Sequence, residues 1–570
     1  RISFFTVDPP GTCIIYSARE IADLSGWVAM KFFRILFLSA SILVFLPLLH
    51  GCGAEPGPVS ATDPGRGGTV VIGVRQDIDT FNLYATTSAF TQQIADLLFL
   101  RLAREQPDSR DHPPTFSPEF AESWDFSEDG LSITFHLRKD VKWSDGTPTT
   151  AGDVLYSWEI SRDPEVAWIN ADVKEHIEDV EILDDFTIRF HFRLKYPYQL
   201  MDANDGNIYP RHVLEKIPVG QWRSTDWSRI LFYNGPFLLE EWNSQDSINL
   251  VRNPDFFEPG APGLERVVFR IIPDPTSLLS QLRSGEIDIM EDLPPRDLAA
   301  ILREQHLQVI EYPDRYFQYI CWNMDNPLFQ ESEVRRALSM GIDMEKILDS
   351  LLYGTAILAS SPIISFFYEH DDSLKPIPYR PEETRRILAR HGWADTDGDG
   401  WLDREGETFS FELETNAGNQ VREDAAIMIQ AQLAKLGIQV QPRVIEFTVF
   451  QQKHMDGDFD SFIAAWKVST KVDYLKPLFH SDSPVNYPSY RNPHLDDLIG
   501  KAPTLPDPAD ALPLWQEAQR ILYRDQPYNL MYERQAVHGV NRRLRGVRMD
   551  HLGPYAHLKE WWIPPDKRRF

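Results

Sequence analysis

Hydrophobic and polar positions follow two different periods along the chain. Residues 69–74 (TVVIGV) form a short apolar run after a pair of glycines, which is typical of a buried strand. Residues 133–138 and 187–192 alternate between apolar and polar side chains. Because successive side chains of a strand point to opposite faces, this alternation predicts two half-buried strands.

Helical spacing predicts at least two amphipathic helices between these strands. The first stripe of apolar residues consists of Phe90, Ile94, Leu97, Leu98 and Leu102. The second consists of Ala425, Met428, Ile429, Leu433 and Leu436. Gly437 should end the second helix, and Ile438 and Val440 should begin the next strand. Since helix and strand patterns keep interleaving, the predicted fold class is α/β (mixed α+β) with more than one sheet.

The first methionine, Met30, is followed by the pattern of a bacterial export signal. Lys31 and Arg34 supply positive charge, and an apolar run occupies residues 35–49. At about 15 residues, this run is short for a transmembrane helix. It ends in the residues LLHGC at 48–52, which resemble the lipobox of bacterial lipoproteins.

These features divide the N-terminal region into three expected parts. Residues 1–29 should lie upstream of the true start, and residues 30–51 should be a lipoprotein signal peptide. Cys52 should carry the lipid, and residues 52–68, rich in Gly and Pro, should form a flexible tether. An ordinary secretory signal, with Cys52 incidental, is the alternative. We expect an exported protein, held to a bacterial membrane only by its lipid, on the periplasmic or outer face of the envelope.

Charge and cysteine content exclude three classes of protein. The 570 residues carry 85 acidic and 57 basic side chains, for a net charge of −28. Nucleic-acid binding requires clustered cations, so we expect no nucleic-acid partner. Three cysteines exclude a disulfide framework and a Cys-rich zinc domain.

The sequence contains no signature of catalysis or of a firm metal site. It has no Gly-x-Ser-x-Gly elbow, HExxH pair, Walker loop or GxGxxG motif, so we expect no enzyme and no cofactor. One segment, residues 395–406, matches the first half of a calcium loop through Asp395, Asp397, Asp399 and Asp403. Position twelve is Gly406 rather than Glu. A hydrogen-bonded Asp/Gly turn is therefore favoured over a structural calcium ion.

Several segments resemble the peptide/nickel class of bacterial extracellular solute-binding proteins (family 5), the receptors of ABC importers. The most specific are AESW at 121–124 and GLSITFHLRKDVKWSDGTP at 130–148. Shorter matches are NGPF at 234–237, RNP at 252–254, SGEID at 284–288, VRRAL at 334–338, HGW at 391–393 and AQLAKLGI at 431–438. The resemblance extends from about residue 67 to 565, nearly the whole body of the chain.

This resemblance implies a two-lobed periplasmic-binding-protein-like (Venus flytrap) fold of the large three-domain, peptide-binding type. Crossover segments near 311–323 and 533–540 would form the hinge, and the ligand would be enclosed between the lobes. The implied domains are the first lobe (69–105, 190–310 and 535–570), its inserted subdomain (106–189) and the second lobe (311–534).

The same resemblance implies where the ligand binds. In peptide-binding relatives a carboxylate of the second lobe pairs with the peptide α-amino group, and residues 466–477 resemble that segment with an insertion, which implies Asp473. A buried carboxylate requires a cation. A surface turn aspartate is the alternative, and Lys467 and Lys471 could instead screen the site or favour an anionic ligand. Further candidates are Trp466, Tyr474, Phe447, Asn486, Tyr490, Thr86 and Ser88.

The expected function is that of a substrate-binding lipoprotein of an ABC importer. It would capture oligopeptides or dipeptides, deliver them to permease subunits with cytoplasmic ATPases, and act as a monomer. Two alternatives remain open: the same fold binding an oligosaccharide, opine or nickel chelate, or a ligand-sensing lipoprotein without a transporter.

Overall fold

A computed structural model describes residues 67–168 and 170–569. The expected upstream region, the signal peptide, the lipid acceptor Cys52 and nearly all of the tether lie outside the described residues and stay predictions. Within the described residues, no helix combines the length and apolar character that crossing a membrane requires.

The strands are distributed along the whole described chain. In chain order they are β1 (Thr69–Val74), β2 (Ala103–Glu105), β3 (Phe116–Pro118), β4 (Ala121–Phe126), β5 (Ser132–Leu137), β6 (Ile177–Asp184), β7 (Thr187–Phe192), β8 (Phe237–Asn243), β9 (Ser247–Arg252), β10 (Arg266–Ile271), β11 (Ile289–Met290), β12 (Leu307–Trp322), β13 (Ala356–Leu358), β14 (Asp403–Arg404), β15 (Glu407–Thr408), β16 (Ser410–Asn416), β17 (Gln439–Ile445), β18 (Ser461–Lys467) and β19 (Tyr528–Asn541).

The α-helices alternate with these strands. They are α1 (Ala89–Leu98), α2 (Ala151–Ser161), α3 (Gln199–Asn204), α4 (Arg211–Leu214), α5 (Pro275–Ser284), α6 (Leu298–Ile301), α7 (Ser332–Gly341), α8 (Met344–Leu352), α9 (Pro381–Arg390), α10 (Gln420–Ala434), α11 (Phe447–Met455), α12 (Leu475–Phe479), α13 (Pro493–Lys501) and α14 (Pro508–Asp525).

One large sheet runs through most of the described chain. Its strand order is β17-β16-β18-β12-β19-β11-β1-β10-β9-β8, with β13 paired to β19. A separate four-stranded sheet, β4-β5-β7-β6, lies within residues 121–192. The mixture of parallel and antiparallel pairs in the large sheet agrees with the predicted mixed α/β class.

Two long antiparallel strands join the halves of the large sheet. β12 and β19 pair from Leu307–Asn541 at one end to Cys321–Tyr528 at the other. The register shifts between Pro313 and Phe317 and again after Gln318. Such irregularities bend a strand and interrupt its ladder, so this pair is suited to a hinge.

The hydrophobic core divides at these two strands. One set of buried clusters draws on residues 70–312 and 536–563, and we call this part the first lobe. The other set draws on residues 317–532, which we call the second lobe. The domain boundaries stated above remain predictions.

Local chemistry explains the elements that the sequence predicted. β1 spans Thr69–Val74, with its last five residues buried. The Ser88 side chain caps α1 by accepting from the Thr91 amide, and the helix ends at Leu98, so the prediction that Leu102 belongs to it is wrong. α10 is followed by Gly437 at φ 78°, a conformation that glycine adopts without strain.

Candidate ligand-binding cleft

A cavity of about 720 Å³ lies between the two lobes. The first lobe contributes residues 170–176 and 196–205, and the second contributes residues 467–483 and 500–504. A second cavity, of about 340 Å³, shares Asp205 and Ser469 with the first. Clefts of this volume are typical of small-ligand sites.

Asp473 lies in this cavity, where the resemblance placed it, but it already has a cationic partner. The Lys471 Nζ atom lies 3.0 Å from the Asp473 carboxylate. The same ammonium donates to both carboxylate oxygens of Asp202, at 3.0 and 3.1 Å. Because Asp202 belongs to the first lobe, Lys471 connects the two lobes across the cleft.

The electrostatics of this cluster follow from burial. Burial raises the pKa of the Asp202 carboxyl to about 6, although Lys471 and the Tyr196 hydroxyl, 2.6 Å away, oppose that rise. Burial also disfavours the charged form of Lys471, but Asp473 and Asp202 outweigh it and raise the pKa of the ammonium. The rings of Tyr196 and Tyr198 lie 6.0 and 5.5 Å from that ammonium.

Acidic groups outnumber basic groups around the larger cavity. Its carboxylates are Asp172, Glu175, Asp202, Asp205, Asp473 and Asp482, and its lysines are Lys467, Lys471 and Lys476. One Asp205 carboxylate oxygen is buried without a hydrogen-bond partner among the described residues. The polar lining is therefore suited to a ligand that supplies hydrogen-bond donors.

Two of the predicted aromatic residues lie in β18 and in the turn that follows it. Tyr474 lines the cavity and donates its hydroxyl to the Pro362 carbonyl at 3.1 Å. Trp466 is only 3% exposed and stacks between Tyr319 and Tyr487 in the core of the second lobe. The residues that line the two interlobe cavities do not include Trp466, and its contact with a ligand stays a prediction.

The remaining candidates of the second lobe hold local structure. Phe447 is the first residue of α11, which the Glu446 side chain caps. Asn486 donates its amide to the carbonyl of Tyr490 at 2.7 Å, and the Tyr490 hydroxyl donates to Asp525 at 2.7 Å. These residues are not among those that line the two cavities, and their ligand-binding roles stay predictions.

The candidates of the first lobe shape the start of α1. Thr86 donates its hydroxyl to the Asp79 carboxylate at 2.7 Å, and Ser88 is the helix cap. Neither residue lines the two cavities, so their contact with a ligand also stays a prediction.

The hinge carries a buried ion cluster. Arg534 of β19 donates to Asp292 at 3.0 Å and to Asp314 of β12 at 3.2 Å. Burial alone would raise the pKa of Asp314, but Lys467 and Arg534 hold it well below its ordinary value. Arg534 thereby joins the two crossover strands to the first lobe.

The Asp-rich loop has carboxylates close enough to share an ion. Oxygens of Asp395, Asp397 and Asp403 lie within 4.8 Å of one another. Those carboxylates also accept hydrogen bonds from the loop itself, because Asp395 binds the amides of Gly398 and Gly400. This network is what the predicted Asp/Gly turn requires.

Sequence reasoning missed the first-lobe half of the cluster. Asp202 and Lys471 are 269 residues apart, and Asp202 lies in a short helix without a distinctive motif. No local pattern connects the two residues, so only the folded chain reveals the contact.

Two lobes that are joined by long strands and have a ligand-sized cavity with charged side chains between them define a two-lobed solute-binding protein. The chain belongs to the bacterial extracellular solute-binding proteins of family 5, whose middle region matches residues 115–484. Members of this family are extracellular solute-binding proteins rather than enzymes, as the sequence predicted.

Individual relatives agree with this assignment. The chain is 30% identical to the oligopeptide-binding protein AppA of Bacillus subtilis over 551 residues, which cover 94% of this chain and 100% of AppA. The structure of that AppA with a nonapeptide is 28% identical, covers 88% of this chain and 99% of its own, and superposes with a TM-score of 0.74. NikZ of Campylobacter jejuni with Ni(L-His) shares the fold, at 23% identity, a TM-score of 0.75 and coverage of 87% and 99%.

Proposed function

We propose that this chain is the substrate-binding lipoprotein of an ABC importer and that it captures oligopeptides or dipeptides in the interlobe cleft. The observation that carries the proposal is the interlobe cavity of about 720 Å³ containing Asp473. Support comes from its 30% identity to an oligopeptide-binding protein over nearly the whole chain. The adjoining cavity of about 340 Å³ extends the space that an elongated ligand could occupy.

The mechanism follows from the arrangement of lobes and hinge. A peptide enters the open cleft and hydrogen-bonds to polar groups such as Asp205 and Asp473. The lobes then close by bending at the irregular positions of β12 and β19. Closure removes the peptide from water and presents a surface of both lobes to the permease. Asp202 and Lys471, which pair across the cleft, add a contact between the lobes to those that closure makes.

Localisation completes the proposal. Cys52 carries the lipid that holds the monomeric receptor at the bacterial envelope, so released ligand stays close to the permease. Metabolic labelling with a radioactive fatty acid tests this anchor: label should appear in the wild type and be absent from Cys52→Ser. Label that persists in the variant would contradict the assignment.

A thermal-shift screen tests the ligand class. A ligand that binds only the folded state stabilises it, by about 2.7 kcal/mol at 100 times its Kd. We expect peptides of graded length to raise the Tm, while oligosaccharides, opines and a nickel–histidine complex leave it unchanged. If one of those solutes raises the Tm and peptides do not, the peptide proposal is wrong and that solute is the ligand. Neighbouring permease and ATPase genes would favour import over ligand sensing.

A further inference from the structure

The cation that satisfies Asp473 belongs to the chain itself. Lys471 bonds Asp473 at 3.0 Å and Asp202 at 3.0 Å, and its side chain is only 13% exposed. The side chain of Asp202 is 1% exposed, so withdrawing Lys471 would leave a buried carboxylate without its cation. Lys471 is therefore held in place by contacts to both lobes.

The loop that follows β18 explains how this ammonium reaches the carboxylate. Residues 468–471 lie between the end of the strand and the short turn Val472–Tyr474. The Val468 amide donates to the Arg315 carbonyl, and the Ser469 hydroxyl donates to the Lys471 carbonyl at 2.7 Å. These contacts fix the loop, so the position of Lys471 is built into the backbone of the cleft.

We infer that Lys471 is a specificity-determining residue that occupies the ammonium position beside Asp473, so that peptides bind this cleft without using a free α-amino group. This inference rests on the proposed peptide-binding function. A second ammonium brought to Asp473 would be repelled by Lys471 and would have to displace it from Asp473. The peptide therefore meets Asp473 through uncharged N–H donors.

Competition between two peptide libraries tests the inference. Purified protein is mixed with equal amounts of two octapeptide libraries. The libraries have the same randomised sequences, but one has free N-termini and the other is N-acetylated. Bound peptides are separated by gel filtration and counted by mass spectrometry. We expect the wild type to retain both forms within about threefold, because no ligand ammonium contributes a charge-assisted hydrogen bond.

Lys471→Met should bind peptides with free N-termini in preference to acetylated peptides. Without Lys471, Asp473 and Asp202 lose the ammonium that bonds to both of them, so the variant should enrich free N-termini about tenfold or more. Lys435→Met, the same change at an exposed position after α10, should retain the wild-type ratio. Circular dichroism establishes that each variant is folded. If Lys471→Met does not fold, the ratio of free to acetylated peptides bound by the wild type tests the inference by itself.

The outcomes separate the inference from the proposed function. A wild type that enriches free N-termini tenfold would overturn the inference and leave peptide binding intact. An unchanged ratio in folded Lys471→Met would overturn the role of Lys471. Retention of neither library would reject the peptide function and, with it, the inference.

Discussion

Removing the Arg543 side chain should lower the free energy of unfolding by more than the loss of an exposed ion pair does. The Arg543 guanidinium makes two hydrogen bonds of 2.5 Å to Asp288 and one of 2.9 Å to the Thr69 carbonyl. Asp288 also accepts from the Val71 amide at 2.9 Å. The two side chains are 6% and 1% exposed. The pair thus fastens the returning C-terminal segment to β1 inside the first lobe.

The magnitude follows from burial. Arg543→Met leaves a carboxylate with no cation in the interior, which typically costs about 3–5 kcal/mol. Arg283→Met is the matched control, because Arg283 pairs with Glu304 in the same lobe at 51% and 31% exposure. That pair should be worth no more than about 1 kcal/mol. The double variant Arg543→Met, Asp288→Asn should lose less than the sum of its parts, since it no longer buries an unpaired charge.

Urea unfolding monitored by tryptophan fluorescence measures these free energies, and hydrogen exchange at the β1 amides locates the loss in the first lobe. A cost below about 1 kcal/mol for Arg543→Met, equal to that of the control, would refute the reasoning. It would mean that water or another cation reaches Asp288 once the guanidinium is gone.

Three further predictions concern pH, packing and metal. Burial raises the pKa of Glu369 to about 7, so the folded state holds this proton more tightly than the unfolded chain. The contribution of Glu369 to stability should therefore fall as pH rises from about 4.5 to 7, by at most about 3 kcal/mol, and Glu369→Gln should reduce the slope of stability against pH by that amount in urea titrations at several pH values. Gly235→Ala would place a methyl carbon 2.6 Å from the Leu98 carbonyl carbon and should cost about 1–3 kcal/mol in the same assay, whereas an unchanged midpoint would show that α1 can move aside. Finally, the Asp-rich loop should fold without metal, so EGTA and excess calcium should give the same Tm; a calcium-dependent rise that Asp403→Asn abolishes would establish a bound ion.

The sequence predicted elements well wherever periodicity is local. β1 begins and ends where its apolar run does, because a buried strand shows itself in consecutive residues. α10 is recognisable because its apolar stripe faces the core and glycine follows it. The apolar spacing extends α1 too far, because Leu102 is buried although the helix has already ended at Leu98. Burial alone therefore does not mark a helix boundary.

The cleft was predictable only on the side that carries a recognisable segment. Asp473 and Tyr474, which the resemblance to the family named, line the cavity, and their contact with a ligand stays a prediction. Trp466 belongs to the same family-like segment, but its side chain packs into the core of the second lobe. An aromatic residue suits a core as well as a ligand surface, so the sequence does not distinguish the two. Asp202 gave no signal, because long-range pairing depends on how two lobes meet.

The order of the strands in the large sheet also determines which lobe can finish folding first. β1, near the start of the described chain, pairs with β10 and β11, and β11 in turn pairs with β19. The second lobe draws its core from one continuous stretch, whereas the first needs residues beyond 535 to fill its core. Because synthesis proceeds from the N-terminus, the chain can therefore finish the second lobe while the first still lacks its last segment. Truncation at the C-terminus would therefore destabilise the first lobe, which contains β1.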